Sequence, residues 1–407
     1  MRRYYLYGIS GVYNYGCEAM IRSITASIIQ MDPDAEVHYV SYSYDKDLKS
    51  LSDCEGLTIE SVRNMNFSFV DKCVRFVKRK TRFASPQDRM WIDLEWTKDC
   101  DVLVIIGGDV FEIPSSAKTN DEYKNDRIIV SEAVKSHGGK VILWGISFGN
   151  FDSTPLAKAK IIDYLKNTVD IGIIRDKNSI DYLKANNITN VQLCSDPAFM
   201  QRTIQSANPA NVVGINLSPL SNRYLKEKHS IDEWISIWSS FIKSIYEITD
   251  ADCIYLIPHV VNSDNTQDDD YSYLELISRK LADYDVNNKL VPGNIGFLGV
   301  KKYIVQCKMV FAARMHCCVN AVTCGVPTVF LSYSSKSVGM CKLVYNDTDM
   351  LLDMNEMLTT NYDSSVYRQY ESIDKIRNLL AKRNVELEID ARRAIDYVCK
   401  AIENSYD

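Results

Sequence analysis

The chain has 407 residues, of which 46% are hydrophobic and 25% are charged, and its formal net charge is −6. This length exceeds what one ordinary core organises, so two domains are expected, and the composition is that of a globular protein. A negative net charge gives no general attraction to nucleic acid or to an acidic surface. An anionic partner must therefore be bound by a local cationic patch.

The N-terminus and the cysteines predict a cytoplasmic protein. Residues 1–16 contain a short apolar run broken by Tyr, Ser and Gly, which fits a first strand better than a secretory signal. The sequence contains no run of 18 uninterrupted apolar residues, so no membrane-spanning helix is predicted. The 12 cysteines have no framework spacing and no CxxC pair, which favours buried reduced thiols over disulfides or a metal site.

A glycine-rich loop follows the first predicted strand. The strand covers Arg3 to Tyr7, the loop runs to Gly16, and a helix is predicted over 17–30. Glycines between a strand and a helix suit an anion at the helix N-terminus. The loop matches neither GxGxxG nor a P-loop, however, and the alternative is a tight turn that binds nothing.

The segment 67–83 is the one strongly basic part of the sequence. Two strands are predicted before it, over 36–42 and 57–62. Six basic residues are interleaved with apolar ones, namely Lys72, Arg75, Lys78, Arg79, Lys80 and Arg82. A basic amphipathic helix of this kind can lie on an anionic membrane. The alternative is a helix that packs on its domain with its charges in water.

A fully apolar strand over 101–106 ends in Gly107-Gly108-Asp109. The glycines allow a ligand to approach the backbone, and the end of such a strand is where open α/β sheets bind ligands. A carboxylate at this position can act as a general base, so Asp109 is a candidate catalytic residue. The alternative is that Asp109 caps a following helix.

The first sheet continues through alternating helices and strands, predicted over 121–136, 140–146, 155–167, 171–174 and 191–194. The strand that ends at Ile174 is followed by Arg175, a cation at the end of a buried strand. Arg175 is a candidate ligand-binding residue, and the alternative is a cap arrangement with Asp176. The first domain is expected to cover residues 1–200.

Residues 198–210 lose periodicity and are the best linker. A second α/β series follows, with predicted elements over 212–217, 231–248, 253–257 and 271–284. The strand over 253–257 is followed by Pro258 and His259, and the acidic loop 264–270 is expected to be solvated. The second domain is expected over 211–350, followed by a charged helical tail over 351–407.

The stretch 308–340 carries the most informative pattern. An apolar strand, 309–313, precedes Arg314 and His316, a helix is predicted to Cys324, and a second strand, 328–331, precedes Lys336. Strand–helix–strand is the crossover that parallel strands require, and both strand ends deliver polar groups. Two cations and a histidine there indicate an anion site with a proton donor. Alternatively, His316 caps its helix and Arg314 holds an acidic residue.

Together these elements predict an α/β protein made of two doubly wound Rossmann-like domains facing a central cleft. Several segments are similar to the polysaccharide pyruvyl transferase family: GVYNYGCEAM, VIIGGDVF, IIRDKNSIDYL, CSDPAF, VGINLS, IPHV and, most specific, ARMHCCVNAVTCGVPTVFLSYSSK. The resemblance covers roughly residues 4–345. The sequence departs from the family at Met315, where Leu is usual, and after Gly149, where NFDSTP replaces a direct step to Pro.

The resemblance implies a glycosyltransferase-B-like fold and transfer of a pyruvyl group from phosphoenolpyruvate to two hydroxyls of a sugar, as a cyclic ketal. It implies a bacterial surface polysaccharide, or its lipid-linked precursor, as the acceptor. In this interpretation His316 is the general acid and Asp109 the base. The donor is bound by Arg314, Arg175 and Lys336, and the acceptor by Asn14, Glu18 and His259. No cofactor, metal or nucleic acid is required.

Two alternatives stay open. One is a nucleotide-sugar-dependent glycosyltransferase on the same fold, since architecture does not determine function. The other is a non-catalytic protein that binds a saccharide or nucleotide. The basic segment 72–82 adds a candidate peripheral contact with the inner face of the membrane, and the sequence does not define the oligomeric state.

Overall fold

The computed structural model describes residues 1–62, 92–112, 125–203 and 209–403, with Ser335 described by its backbone alone. The basic segment with its candidate membrane contact, Lys72 to Arg82, lies outside the described residues. The described chain divides into two compact units. Unit 1 comprises Met1–Val12, Met20–Pro197 and Asp390–Asp407, and unit 2 comprises Tyr13–Ala19 and Ala198–Ile389.

Unit 1 is built on a seven-stranded parallel sheet. Its strands are β1 (Arg3–Tyr7), β2 (Glu36–Ser41), β3 (Leu57–Ser61), β4 (Val102–Ile106), β5 (Lys140–Ile146), β6 (Ile171–Ile174) and β7 (Val191–Leu193). The strand order is β3-β2-β1-β4-β5-β6-β7. All five residues of β4 are buried, as expected of a central parallel strand covered by helices on both faces.

Within the described residues of the N-terminal half, the helices are α1 (Tyr15–Met31), α2 (Tyr44–Ser50), α3 (Asp126–Ser136), α4 (Pro155–Asn167) and α5 (Lys177–Ala185). Local sequence explains their starts. Pro155 occupies the first turn of α4, where its missing N–H costs nothing. Asp176 caps α5 by accepting a hydrogen bond from Ser179 N at 2.8 Å.

Unit 2 is built on a six-stranded parallel sheet in the order β10-β9-β8-β11-β12-β13. The strands are β8 (Val212–Asn216), β9 (Cys253–Leu256), β10 (Asn288–Leu290), β11 (Met309–Ala312), β12 (Thr328–Ser332) and β13 (Leu351–Asp353). Its helices are α6 (Pro219–Tyr224), α7 (Ile231–Thr249), α8 (Asp270–Leu281), α9 (Gly296–Ile304), α10 (Met315–Thr323), α11 (Ser335–Tyr345), α12 (Asp363–Glu371) and α13 (Ile373–Glu403). Short 3₁₀ turns occupy Glu95–Asp99, Pro197–Met200, Thr266–Asp268, Ala282–Tyr284 and Glu356–Leu358.

The C-terminal boundary differs from the sequence prediction. Residues Leu351–Asp353, expected to begin a helical tail, form the last strand and pair in parallel with β12. A three-residue strand is too short to show a period-two pattern, which is why the sequence did not reveal it. Helix α13 starts in unit 2, and its residues from Asp390 onward are grouped with unit 1.

Each sheet has one position at which the chain changes direction across it. In unit 1 this position lies between β1 and β4, two strands that pair in parallel with Leu6 opposite Val104. In unit 2 it lies between β8 and β11, paired with Ile215 opposite Phe311. Open α/β sheets bind ligands beyond the carboxyl ends of the strands at such switch points, so these two edges are where the functional residues should lie. None of the helices described is both long and apolar enough to cross a membrane.

Candidate active site

Arg314 lies at the switch point of unit 2, directly beyond β11. Its backbone N–H donates to Asn216 Oδ1, at the end of neighbouring β8, at 2.9 Å. Its guanidinium donates to Asp270 Oδ1 from Nε at 3.1 Å and from Nη2 at 2.9 Å. Asp270 is completely buried and also accepts from the backbone N–H groups of His259 and Val260. Asp270 thus fixes Arg314 and the end of β9 in one network.

A second carboxylate contacts the same guanidinium. Asp268 Oδ1 lies 2.5 Å from Arg314 Nη2, and the Asp268 side chain is 30% exposed. Burial by itself would lower the pKa of Arg314, but the charges of Asp270 and Asp268 outweigh burial and raise it. Arg314 therefore does hold acidic residues, but both belong to its own unit and neither lies across a cleft.

Sequence reasoning missed Asp268 and Asp270. The acidic loop was expected to be solvated, and this expectation is wrong for Asp269 and Asp270, which are 2% and 0% exposed. Acidic residues immediately before a helix are a capping signal, and Asp269 does cap α8 through Ser272 N. Nothing local, however, marks Asp270 as the partner of an arginine 44 residues away.

His316 lies in the first turn of α10, two residues after Arg314, and its ring is half-buried. The ring packs directly against the backbone of Gly16. A Cβ at Gly16 would lie 2.2 Å from His316 Cγ and 2.3 Å from Nδ1, closer than real contacts allow. Gly16 therefore lets the first turn of α1 approach the imidazole, and only glycine fits there.

Asn14 and Glu18 hold this approach in place. Asn14 Oδ1 accepts a hydrogen bond from Gly16 N at 3.0 Å, and Asn14 bridges to Val260. Glu18 is 1% exposed, and its Oε2 accepts from Phe297 N at 2.7 Å, at the start of α9. A carboxylate at a helix N-terminus is favoured by the helix dipole. These contacts give both residues a structural role in unit 2, and the acceptor contact predicted for them stays a prediction.

His259 is buried beneath the same site. Its Nε2 lies 3.3 Å from Asn320 Nδ2, and Tyr15 meets its ring edge-on at 5.6 Å between centroids. Burial, together with the charges of His316 and Arg314, holds the pKa of His259 well below its ordinary value. His259 is therefore neutral near pH 7. His259 has no exposed surface, and the acceptor contact predicted for it stays a prediction.

Lys336 is the second residue of α11, which follows β12. Since β11 and β12 pair in parallel, Lys336 lies at the same sheet edge as Arg314. The first turn of α11 contains no acidic residue, and Ser334 makes no side-chain cap. The N–H groups and dipole of such a helix start favour an anion, and Lys336 adds a charge to it.

Arg175 and Asp109 lie in unit 1. Arg175 follows β6, its side chain is 3% exposed, and its Nη1 donates to Asp196 Oδ2 at 2.7 Å. Its Nε donates to Ser147 Oγ at 2.8 Å. The cap in the alternative is observed, since Asp176 caps α5 and its charge also acts on Arg175. Burial would lower the pKa of Arg175, but Asp196 and Asp109 raise it overall.

Asp109 lies in a turn beyond β4, with its side chain 51% exposed and its Oδ1 3.7 Å from Arg175 Nη2. The neighbouring Gly108 packs on the same guanidinium, since a Cβ there would lie 1.9 Å from Nη2. Of the eight residues predicted from the sequence, Asp109 and Arg175 are therefore brought together in unit 1. The remaining six are in unit 2.

A further cation at the edge of unit 1 was not predicted. Arg127, in the first turn of α3, donates from Nε to the carbonyl of Gly8 at 3.0 Å. Gly8 has φ +125°, and a Cβ there would lie 2.7 Å from the carbonyl oxygen of Ile106. Arg127 thus holds the start of the loop after β1. A glycine is needed at position 8 because of its positive φ and the close backbone contact with Ile106.

The family comparison decides the broad identity. The model of the family described as polysaccharide pyruvyl transferase matches residues 14–335, which is most of the chain. The chain belongs to the polysaccharide pyruvyl transferase family. The matched residues include Asn14, Arg175, Arg314 and His316. A comparison with curated protein sequences finds no match.

Solved structures establish the fold. A UDP-GlcNAc 2-epimerase from Neisseria meningitidis bound to UDP-GlcNAc is 9% identical, with full coverage of both chains and a TM-score of 0.54. A protein described as a UDP-N-acetylglucosamine 2-epimerase from Listeria monocytogenes is 10% identical, covering 99% of this chain and 97% of that one, with a TM-score of 0.54. A glycosyltransferase from Rickettsia africae is 11% identical, covering 99% and 100%, with a TM-score of 0.51. These similarities confirm the predicted glycosyltransferase-B-like fold.

Proposed function

We propose that this transferase moves a pyruvyl group from phosphoenolpyruvate to two hydroxyls of a saccharide and forms a cyclic ketal. The observation that carries the proposal is the placement of Arg314 and His316 at the switch point of unit 2, inside the family-matched region. A phosphorylated carboxylate donor needs fixed cations and a proton donor close together. This edge supplies both.

The donor is bound through charge. Lys336 and the uncapped start of α11 suit the phosphate, since both favour a negative charge at one sheet edge. Arg314 offers a planar guanidinium that matches a carboxylate or phosphate in bidentate geometry. For the donor to take up this contact, the exposed carboxylate of Asp268 gives way while the buried Asp270 keeps the arginine in place. The sequence prediction that Arg175 also binds the donor stays part of this proposal.

The chemistry needs one proton delivered and two hydroxyl protons removed. His316 protonates the methylene carbon of the donor, which leaves the adjacent carbon electron-poor, and a sugar hydroxyl adds there. The half-exposed carboxylate of Asp109 takes the hydroxyl proton. The second hydroxyl then displaces phosphate from the same carbon, passes its proton to the departing phosphate and closes the ring. Two C–O bonds form, the C–O bond to phosphate breaks, and inorganic phosphate leaves.

Asn14, Glu18 and His259 contribute by position. Their contacts hold the first turn of α1 against the His316 ring, which keeps the imidazole in one orientation. The neutral state of His259 matters here, because a second positive charge under His316 would oppose its protonated form.

The test is a donor assay with matched alternatives. The protein is incubated with phosphoenolpyruvate and a panel of oligosaccharides, and released phosphate is measured. A parallel reaction replaces phosphoenolpyruvate with UDP-N-acetylglucosamine. The proposal expects saccharide-dependent phosphate release with the first donor. Transfer with the nucleotide sugar would identify a glycosyltransferase, and release with neither donor would leave a binding protein.

We also propose that the acceptor is linked to a lipid and that the basic segment 72–82 contacts the cytoplasmic face of the membrane. The sequence alone supports this, since six cations near an anionic surface could contribute about 1 kcal/mol each. Wild type and a variant with Lys78, Arg79 and Lys80 changed to Glu are sedimented with anionic vesicles at two salt concentrations. Only the wild type should sediment, and less at high salt. Equal behaviour of the two proteins would refute the contact.

A further inference from the structure

An exposed tyrosine lies beyond the carboxyl ends of the strands of unit 2, between buried residues that hold its backbone. Tyr224 ends α6, the short helix that follows central strand β8, and 61% of its surface is exposed. Its ring stacks on that of Tyr333, with centroids 5.6 Å apart and planes 30° from parallel. We call Tyr224 and Tyr333 the tyrosine platform.

The exposure of Tyr224 does not come from a loose segment. Asn222, two residues earlier, is 6% exposed and forms two side-chain hydrogen bonds, from Trp238 Nε1 at 3.0 Å and to Tyr273 OH at 2.9 Å. Leu225, the next residue, is 1% exposed. Buried residues on both sides therefore fix the backbone and present the ring to solvent in one place.

The platform lies beside the proposed donor site. Tyr333 directly follows β12, and Lys336 is three residues further along. Asn216, the last residue of β8, is in register with Ala312 at the end of β11, so α6 starts at the same edge as Arg314. Tyr333 is also close enough to Arg314 for its phenolic oxygen to affect the guanidinium electrostatically.

We propose that the tyrosine platform binds the pyranose ring of the acceptor saccharide, which stacks one face of its C–H groups on Tyr224. This rests on the proposed function and adds a binding site for the acceptor. The face of a tyrosine ring is partly negative because of its quadrupole, whereas the axial C–H groups of a sugar are partly positive. Both surfaces are also flat and largely apolar. A rigid ring also binds with little loss of conformational entropy. Stacked sugar would lie beside the donor at the same sheet edge.

The test measures sugar contact directly. Saturation-transfer NMR is recorded with the methyl glycosides of galactose, glucose and mannose on wild type, Tyr224→Ala, Tyr224→Phe and Tyr224→Trp. At least one glycoside should receive saturation on its ring C–H groups in wild type. That transfer should fall about three- to tenfold in Tyr224→Ala and persist in the Phe and Trp variants. Tyr367→Ala is the control, since Tyr367 is 55% exposed on α12.

Several results would overturn the platform. They are no transfer to any glycoside in wild type, equal transfer in wild type and Tyr224→Ala, or loss in the Tyr367 control as well. UDP added alone tests a nucleobase as the occupant, and base saturation that depends on Tyr224 without any sugar signal would also overturn it.

A separate readout keeps this proposal apart from the proposed function. Thermal stabilisation by phosphoenolpyruvate is measured on wild type and Tyr224→Ala, and it should be equal in the two because Tyr224 does not contact the donor. If phosphoenolpyruvate stabilises neither protein while sugar saturation still depends on Tyr224, the donor assignment fails and the platform stands. Where turnover is detected, Tyr224→Ala should raise the KM of the saccharide and leave the KM of the donor unchanged.

Discussion

Each unit has an arginine and two aspartates at the edge of its sheet, but the distances between these groups differ. In each, a buried arginine follows a strand and pairs with a fully buried aspartate, Asp196 for Arg175 and Asp270 for Arg314. Each also has a second, more exposed aspartate. The second carboxylate lies 3.7 Å from Arg175 in unit 1 but 2.5 Å from Arg314 in unit 2.

The difference assigns different chemistry to the two edges. Asp109 is half-exposed and beyond hydrogen-bond distance of its arginine, which suits a carboxylate that accepts a proton from a substrate. Asp268 is bonded to its arginine, and under the proposed function a donor anion would compete with it for that guanidinium. Of the two edges as described, only that of unit 2 carries a histidine, His316, which is the proton donor of the proposed function. The predictions below test this division.

The largest expected effect is at His316. Changing His316 to Gln preserves a polar side chain but removes the useful proton, so kcat should fall roughly 10²–10⁴-fold while phosphoenolpyruvate still binds. Phosphate release and donor-induced thermal stabilisation are measured together. His137→Gln, at an exposed position after α3, is the control. Near-normal turnover would show that His316 only starts its helix.

Replacing the arginines should separate donor binding from stability. Arg314→Ala and Arg175→Ala each leave a buried aspartate without its partner, which costs about 3–5 kcal/mol of unfolding free energy in denaturant titrations. Arg314→Ala should also abolish thermal stabilisation by phosphoenolpyruvate. Arg314→Lys keeps a charge and should fold more stably than the Ala variant, yet bind the donor more weakly, because Lys lacks bidentate geometry. Undiminished stabilisation in both Arg314 variants contradicts donor binding at unit 2.

Gly16→Ala tests the approach of α1 to His316 without touching a charge. The new Cβ must displace the imidazole, and a shift of about 1 Å at a catalytic group can reduce kcat roughly 100-fold. Gly339→Ala is a matched control in α11, because a Cβ there meets no atom within 4 Å. Equal turnover in both alanine variants would remove the contact from the mechanism.

The smallest expected effect concerns Asp268. Asp268→Asn removes the negative charge that competes for Arg314, so the KM for phosphoenolpyruvate should decrease, roughly threefold to fivefold if the pair contributes about 1 kcal/mol. Asp264→Asn, on the same loop, should leave the KM unchanged. A higher KM in Asp268→Asn would show that this carboxylate supports the donor site and does not compete with it.

The sequence predicted the architecture well, because apolar strands such as β4 and polar strand ends such as Arg314 and His316 have strong local signatures. It did not predict the contacts that Glu18 and His259 make with Phe297 and Asn320. Whether a polar residue faces solvent or a helix end depends on partners distant in the sequence, such as Phe297 for Glu18. The pairing of Arg314 with Asp270 is of the same kind. Both β13 and the burial of Asp269 and Asp270 depend on tertiary packing that no local pattern encodes.

The central claim is most directly tested by following the pyruvyl carbons. Phosphoenolpyruvate labelled with ¹³C at its second carbon is incubated with wild type, His316→Gln and a saccharide panel, and the saccharides are analysed by mass spectrometry and ¹³C NMR. The account predicts an acceptor that gains one pyruvyl group, with the label in a ketal carbon, in stoichiometry with released phosphate and only with wild type. Phosphate released while every saccharide keeps its mass, or label transferred equally by His316→Gln, would contradict it.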